Sequence, residues 1–174
     1  MWIDDLLLRR RACPEAVTWA RQYPTIEAAW AACDRGDWML WWIERVGRGE
    51  SGSDERRRLV AVACRCARLA LPHVQGGEDR PRLAIETAER WAAGDPQITP
   101  AMVLAAAGAA WAAAWAAGAA GDAAGAAWAA WAARAAAGAA RAAAGAAEAD
   151  ILRRCADLVR AEYPAPPVRQ ASHA

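Results

Sequence analysis

The segment from Ala101 to Ala149, AMVLAAAGAAWAAAWAAGAAGDAAGAAWAAWAARAAAGAARAAAGAAEA, decides the fold of this 174-residue chain. It holds 32 alanines, six glycines and four tryptophans in 49 residues. Alanine has the highest helix propensity, so local energetics favour helix along the whole stretch. Thr99-Pro100 begins it well, a capping hydroxyl followed by a residue whose fixed φ suits the first helical position. Alanine methyls bury little area, so helices of this kind depend on close backbone approach and on the large anchors Trp111, Trp115, Trp128 and Trp131. Trp111 and Trp115 share one helix face, and Trp128 and Trp131 share another. At roughly 100° per residue, one unbroken helix would turn Trp128 about 140° away from Trp115. Gly118, Gly121, Asp122 and Gly125 lie between the pairs and form the best helix-breaking cluster of the segment. The segment therefore reads as a hairpin reversing near Gly121-Asp122 and returning through Arg134 and Arg141. A single kinked rod is the alternative.

Towards the carboxyl terminus, Ile151, Leu152, Cys155, Leu158 and Val159 predict a last helix ending at Tyr163, before Pro164. The Pro-rich tail at 165–174 is expected to fray. Towards the amino terminus, Asp79-Arg80-Pro81 opens a helix with Asp79 as its cap. That helix carries Ile85, Ala88 and Trp91 inward and Arg82, Glu86, Glu89 and Arg90 outward, and Gly94-Asp95-Pro96 closes it. Upstream, Leu59, Val62, Cys66 and Leu69 recur at three- and four-residue steps in a helix from Asp54 to Leu71, with Arg58, Arg65 and Arg68 on its wet side. The segment GRGESGS, at 47–53, reads as a loop. Before it come short helices: one starting at Cys13-Pro14-Glu15 and stopping at Tyr23, one from Ile26 to Cys33 capped by Thr25, and one from Trp38 to Val46 capped by Asp37. The expected fold is all-α: a helical bundle of short N-terminal helices packed on a long Ala-rich helical hairpin. It forms a single domain over 1–164, divided into Trp-rich helices (1–46), central helices (54–93) and the Ala-rich hairpin with its C-terminal helix (99–162).

Twenty-one arginines, no lysine and 20 acidic residues leave a formal charge of +1. That removes the bulk electrostatic argument for nucleic acid or an anionic membrane as partner. Residues 101–121 carry no charge over 21 positions, long enough to cross a bilayer, but Ala and Gly contribute little to insertion. Acid stands where a signal peptide needs base, in Met1-Trp2-Ile3-Asp4-Asp5, and five cysteines form no disulfide framework. The expected location is cytoplasmic, with reduced thiols.

Catalytic chemistry finds little support in the residues. His173 lies in the tail, and His73 follows a helix-ending proline and has no plausible Ser partner, since Ser51, Ser53 and Ser172 lie in loops or the tail. Cys64 and Cys66 invite a metal reading, but positions two apart on a helix point about 200° away from each other. Both read as core residues. The triplets Arg9–Arg11 and Arg56–Arg58 each follow acids closely and read as solvated charge. No catalytic residue, cofactor or metal is expected. The densest apolar cluster is Trp38-Met39-Leu40-Trp41-Trp42-Ile43. Helical spacing assigns most of it to the core, yet six consecutive apolar residues cover nearly a full helix circumference. Some of that surface can therefore meet a partner.

EDRPRLAIETAERW (Glu78–Trp91) and ILRRCADLVRAEYPAPP (Ile151–Pro167) resemble the helical immunity proteins of bacterial and phage polymorphic-toxin systems. ACRCARLAL (Ala63–Leu71), the Cys155-Ala156-Asp157 segment, the Tyr163-Pro164 ending and the CDRGDWMLWW stretch are similar to that family as well. The Ala block departs from it by carrying Trp and Gly where relatives interleave Tyr, Asp or Ala. The resemblance implies a non-enzymatic protein that neutralises a cognate protein toxin by direct binding. Candidate contacts are Trp38, Trp41 and Trp42, together with the charged face of Asp79, Arg80, Arg82, Glu86 and Arg90. The alternatives are a self-associating structural or phage assembly protein, a homo-oligomer built by small-residue helix packing, and a nucleic-acid binder, which the charge disfavours.

Overall fold

The structure, a computed structural model, describes residues 11–46, 53–74, 77–116 and 146–167. Every regular element among them is helical: α1 (Pro14–Ala20), α2 (Ile26–Ala32), α3 (Gly36–Val46), α4 (Asp54–Arg68), α5 (Arg80–Ala92), α6 (Pro100–Ala116) and α7 (Ala146–Glu162). A short 3-10 turn, Leu71–His73, follows α4. The described residues are thus all-α. The reversal expected near Gly121-Asp122, the anchors Trp128 and Trp131, and most of the loop at 47–53 lie outside the described residues.

Local chemistry explains most helix ends. Thr25 Oγ1 accepts from Ala28 N at 3.2 Å, Ser53 Oγ from Arg56 N at 3.2 Å and Thr99 Oγ1 from Met102 N at 3.3 Å, each relieving an orphan N–H of a first turn. At the end of α5, Gly94 takes φ +84°, with Gly94 N bonded to Trp91 O and Asp95 N to Arg90 O. This paired closure needs a residue without a side chain in the left-handed region.

Several helix ends and caps depart from expectation. α1 stops at Ala20 rather than Tyr23, because Gln22 and Tyr23 turn back with i→i+3 bonds to Trp19 and Ala20 ahead of Pro24. α2 stops at Ala32, since Cys33 is extended. α4 stops at Arg68 rather than Leu71. Neither Asp37 nor Asp79 caps its helix by a side chain. Asp37 lies inside the first turn of α3 and pairs with Arg35, while Asp79 accepts from Arg82 Nε at 3.3 Å. The N–H of Arg80 is instead taken by Glu78 Oε1 at 3.0 Å. In both places a guanidinium within three residues captures the carboxylate, a charge-assisted bond stronger than one cap bond.

Helix α4 is shared by two apolar clusters. Its Leu59, Val62, Ala63 and Cys66 face α1–α3 and α7, meeting Leu40, Ile43, Ile151 and Val159. Its Val60, Cys64 and Ala67 face the other way, meeting Ile85, Ala88 and Trp91 of α5, Ile98, and Val103 of α6. Cys64 and Cys66 thus enter opposite clusters, as the two-residue step on a helix requires. Helix α3 rests on α7 and α4, and α2 is tied to the end of α7 by the Trp30 indole, whereas the Ala-rich α6 rests chiefly on α5. Ile151, Val159 and Tyr163 supply the apolar bulk that alanine lacks. Packing also continues past the expected start of the tail: Pro166 is buried, and Pro167 O accepts from Trp42 Nε1 at 3.1 Å.

Polar ties cross the same interfaces. Arg160 of α7 donates to the carbonyl of Cys33 and reaches Trp30 O at 3.5 Å, placing a cation on the carbonyl end of α2. Glu162 accepts from Arg58 at 2.6 Å and Arg65 at 2.8 Å, joining α7 to α4. Arg58 also donates to the Glu162 carbonyl and lies 4.8 Å from the Tyr163 ring centre. The two guanidinium groups hold the Glu162 carboxyl below its ordinary value of 4.5. The resulting stabilisation is fully present above that value and is lost as pH falls through the depressed folded value. Replacing Glu162 by Gln is expected to cost about 1 kcal/mol at neutral pH, because the pairs are partly exposed and screened. The variant's urea midpoint should also decline less than the wild type's on acidification below pH 4.5. A decline of equal steepness in both proteins would show that this carboxylate carries no pH-linked stability.

Candidate functional site

Three short helices in succession each carry tryptophan: Trp19 on α1, Trp30 on α2, and Trp38, Trp41 and Trp42 on α3. The turns at 21–25 and 33–35 fold these helices around an open groove of about 70 Å³. Ala16, Trp19 and Ala20 form one wall, Ile26, Ala29, Trp30 and Cys33 the next, and Trp38, Met39, Trp41 and Trp42 the third. Every lining side chain is apolar or a neutral thiol. Burial is the main influence pushing the Cys33 thiol up to about 11, so it presents no charge to the groove at neutral pH. Its Sγ lies 3.5 Å from Arg35 O, within reach of a weak hydrogen bond.

The rings divide into floor and rim. Trp30 and Trp42 are each about 5% exposed, and their indole N–H groups donate to Tyr163 O at 3.0 Å and Pro167 O at 3.1 Å. The segment following α7 therefore holds the floor rings in place. Trp19, Trp38 and Trp41 are half-buried. Trp19 packs against Tyr23 with ring centres 4.8 Å apart and against Trp38 at 5.7 Å, both tilted. Arg35 lies 4.3 Å from the Trp38 ring centre and is fixed there by Asp37 at 2.7 Å, and Arg45 lies 5.7 Å from the Trp41 ring. Such cation–ring contacts hold these half-buried indoles in set orientations. The groove thus offers a pre-ordered aromatic rim around an apolar recess, the composition typical of protein-binding hot spots.

The chain matches no protein-family model, no curated protein and no solved structure.

Of the candidates named from sequence, Trp38 and Trp41 form the rim and Trp42 forms the floor. Asp79, Arg80, Arg82, Glu86 and Arg90 lie apart from them, on the outer side of α5, whose inner side belongs to the second cluster. These charges are internally matched. Arg80 pairs with Glu78, Arg82 with Asp79 at 3.1 Å and Glu86 at 2.9 Å, and Arg90 with Asp95 at 2.7 Å. Glu89 reaches back to Arg68 of α4 at 2.6 Å. Arg80 is the main reason Glu78 drops to about 2, so this pair stays ionised across the neutral range. A face of neutralised pairs steers a charged partner weakly. Trp19, Trp30 and Ile26, which also line the groove, were not among the candidate contacts named from the sequence. The available signal was a tryptophan on each of three consecutive short helices. Among the described residues no group of His, Cys, Asp and Glu has metal-holding geometry, and no helix is long and apolar enough to cross a membrane.

Proposed function

We propose that this chain works by binding another protein, and that its partner is a cognate toxin which it neutralises by occlusion, as an immunity protein does, without catalysis. The observation that carries the reading is the half-buried rim of Trp19, Trp38 and Trp41 around an apolar recess. Such a rim suits an apolar anchor side chain of the toxin, and the resemblance of Glu78–Trp91 and Ile151–Pro167 to immunity proteins supports the choice of partner. The polar side of α5, with Asp79, Arg80, Arg82, Glu86 and Arg90, serves at most as a secondary, salt-sensitive contact, because its charges already have partners. A cytoplasmic location follows from this reading.

Co-expression with the toxin encoded beside this gene is expected to rescue growth and to yield a co-purifying complex. Replacing Trp38 or Trp41 by Ala should weaken that complex roughly 30-fold each, the scale of a hot-spot residue, while helicity is retained. Rescue by wild type with undiminished affinity in both variants would remove the groove from the interface, and no rescue at all would remove the reading. A second reading, self-association, is favoured by Met102 and Leu104, which stand 44% and 50% exposed on α6. Sedimentation across a concentration series separates the two.

A further inference from the structure

Among the five cysteines, Cys66 and Cys155 form a matched pair. Cys66 is 1% exposed on α4 and Cys155 is 5% exposed on α7, in the same apolar cluster. Each Sγ donates to the other residue's backbone carbonyl oxygen at 3.8 Å, so the two cysteines face one another across the α4–α7 contact. They are 89 positions apart in sequence, so their contact is a product of the fold. By contrast, Cys64 points into the other cluster toward Ile85 O, and Cys33 toward Arg35 O. Cys13 is exposed.

We propose that Cys66 and Cys155 are a redox-sensitive latch, joined as a disulfide by thiol–disulfide exchange with a small-molecule disulfide such as oxidised glutathione. One cysteine, as thiolate, attacks the external disulfide, forming a mixed disulfide and releasing one external thiol. The second cysteine attacks the protein-side sulfur of that intermediate, forming the internal S–S bond and releasing the other external thiol. Two protein thiols are oxidised and one external disulfide is reduced to two thiols, which carry away both protons.

The surroundings set the rate and the consequence. The hydrogen bond to Cys155, followed by burial, pushes the Cys66 thiol well above its ordinary range, and burial pushes neighbouring Cys64 up to about 12. Exchange therefore starts from moments when α7 lifts from α4, and closing returns the two sulfurs to each other. Once formed, the bond ties α4 to the helix whose following carbonyls, Tyr163 O and Pro167 O, hold the floor rings of the groove. Oxidation thereby fixes the groove floor, and reduction lets it open with α7. The latch operates whatever partner the groove takes.

The test equilibrates the full-length chain in glutathione buffers of stepped oxidised-to-reduced ratio until composition stops changing, followed by non-reducing peptide mass spectrometry. The expected product is a Cys66–Cys155 linked peptide, with Cys64 unlinked and a thermal midpoint raised by roughly 10 °C for a loop of this length. Cys64→Ala should keep the link, and Cys66→Ala and Cys155→Ala should each lose it. Should either of the last two fail to fold, the wild-type peptide map alone decides. Free thiols at both positions in the most oxidising buffer, or stable glutathione adducts on them in place of the link, would overturn the proposal.

Discussion

Replacing Trp30 by Ala is expected to lower stability by about 4 kcal/mol, a large part of what a domain of this size possesses. The indole is 5% exposed and lies between the α1–α3 unit and the end of α7. Its truncation removes apolar contact on both sides and leaves a void at a junction of four helices. It also deletes the donor that Tyr163 O accepts at 3.0 Å, at a point where Tyr163 N is already bonded to Val159 O and the helix is ending. A buried carbonyl left without a donor adds its own desolvation cost. Trp30→Phe separates the two contributions, because it keeps much of the ring and loses the N–H, and should cost about 1–2 kcal/mol. Urea unfolding monitored by circular dichroism, with unchanged slope, is the measurement. Equal loss in both variants would show that the hydrogen bond, not the packing, holds α2 to α7.

Trp30 also marks where reading a sequence stops. The caps at Thr25 and Thr99, the stop at Gly94 and the inward face of Ile85, Ala88 and Trp91 are settled within a few residues, so their signals are local and were legible. The failure at Asp37 and Asp79 was local too. An acid in cap position is ambiguous when an arginine two or three residues away can take the carboxylate in a charge-assisted bond. The groove was half legible. Six consecutive apolar residues in α3 must place some on a surface, but which indoles those are depends on α1, α2 and the segment after α7. The carbonyl that buries Trp30 is 133 positions away and the one that buries Trp42 is 125. No periodicity within α3 carries that information. The same limit hid the Cys66–Cys155 contact, while the local fact that Cys64 and Cys66 oppose each other could be read from helix geometry alone.

A methyl group at position 36 is expected to destabilise the protein by about 3 kcal/mol, through lack of space rather than backbone strain. Gly36 begins α3 and is buried where that helix meets α7. A Cβ there would stand 2.4 Å from Cys155 Cβ, 2.6 Å from Ala156 N and 2.7 Å from Cys155 C. Two of those atoms are helical backbone, so no side-chain rotation relieves the overlap and α3 must move off α7 as a body. Trp38 lies two residues further along α3, so the displacement is carried into the groove rim, and Gly36→Ala should weaken partner binding along with stability. Gly108→Ala is the matched control: it adds the same methyl inside α6, where nothing lies within 4 Å, and should stabilise by up to about 1 kcal/mol through helix propensity. Opposite signs in the two denaturation curves would place the cost at the α3–α7 crossing. A Gly36→Ala protein within about 0.5 kcal/mol of wild type would mean that the crossing is wider than these distances allow, and that Cys155 is not held between α3 and α4.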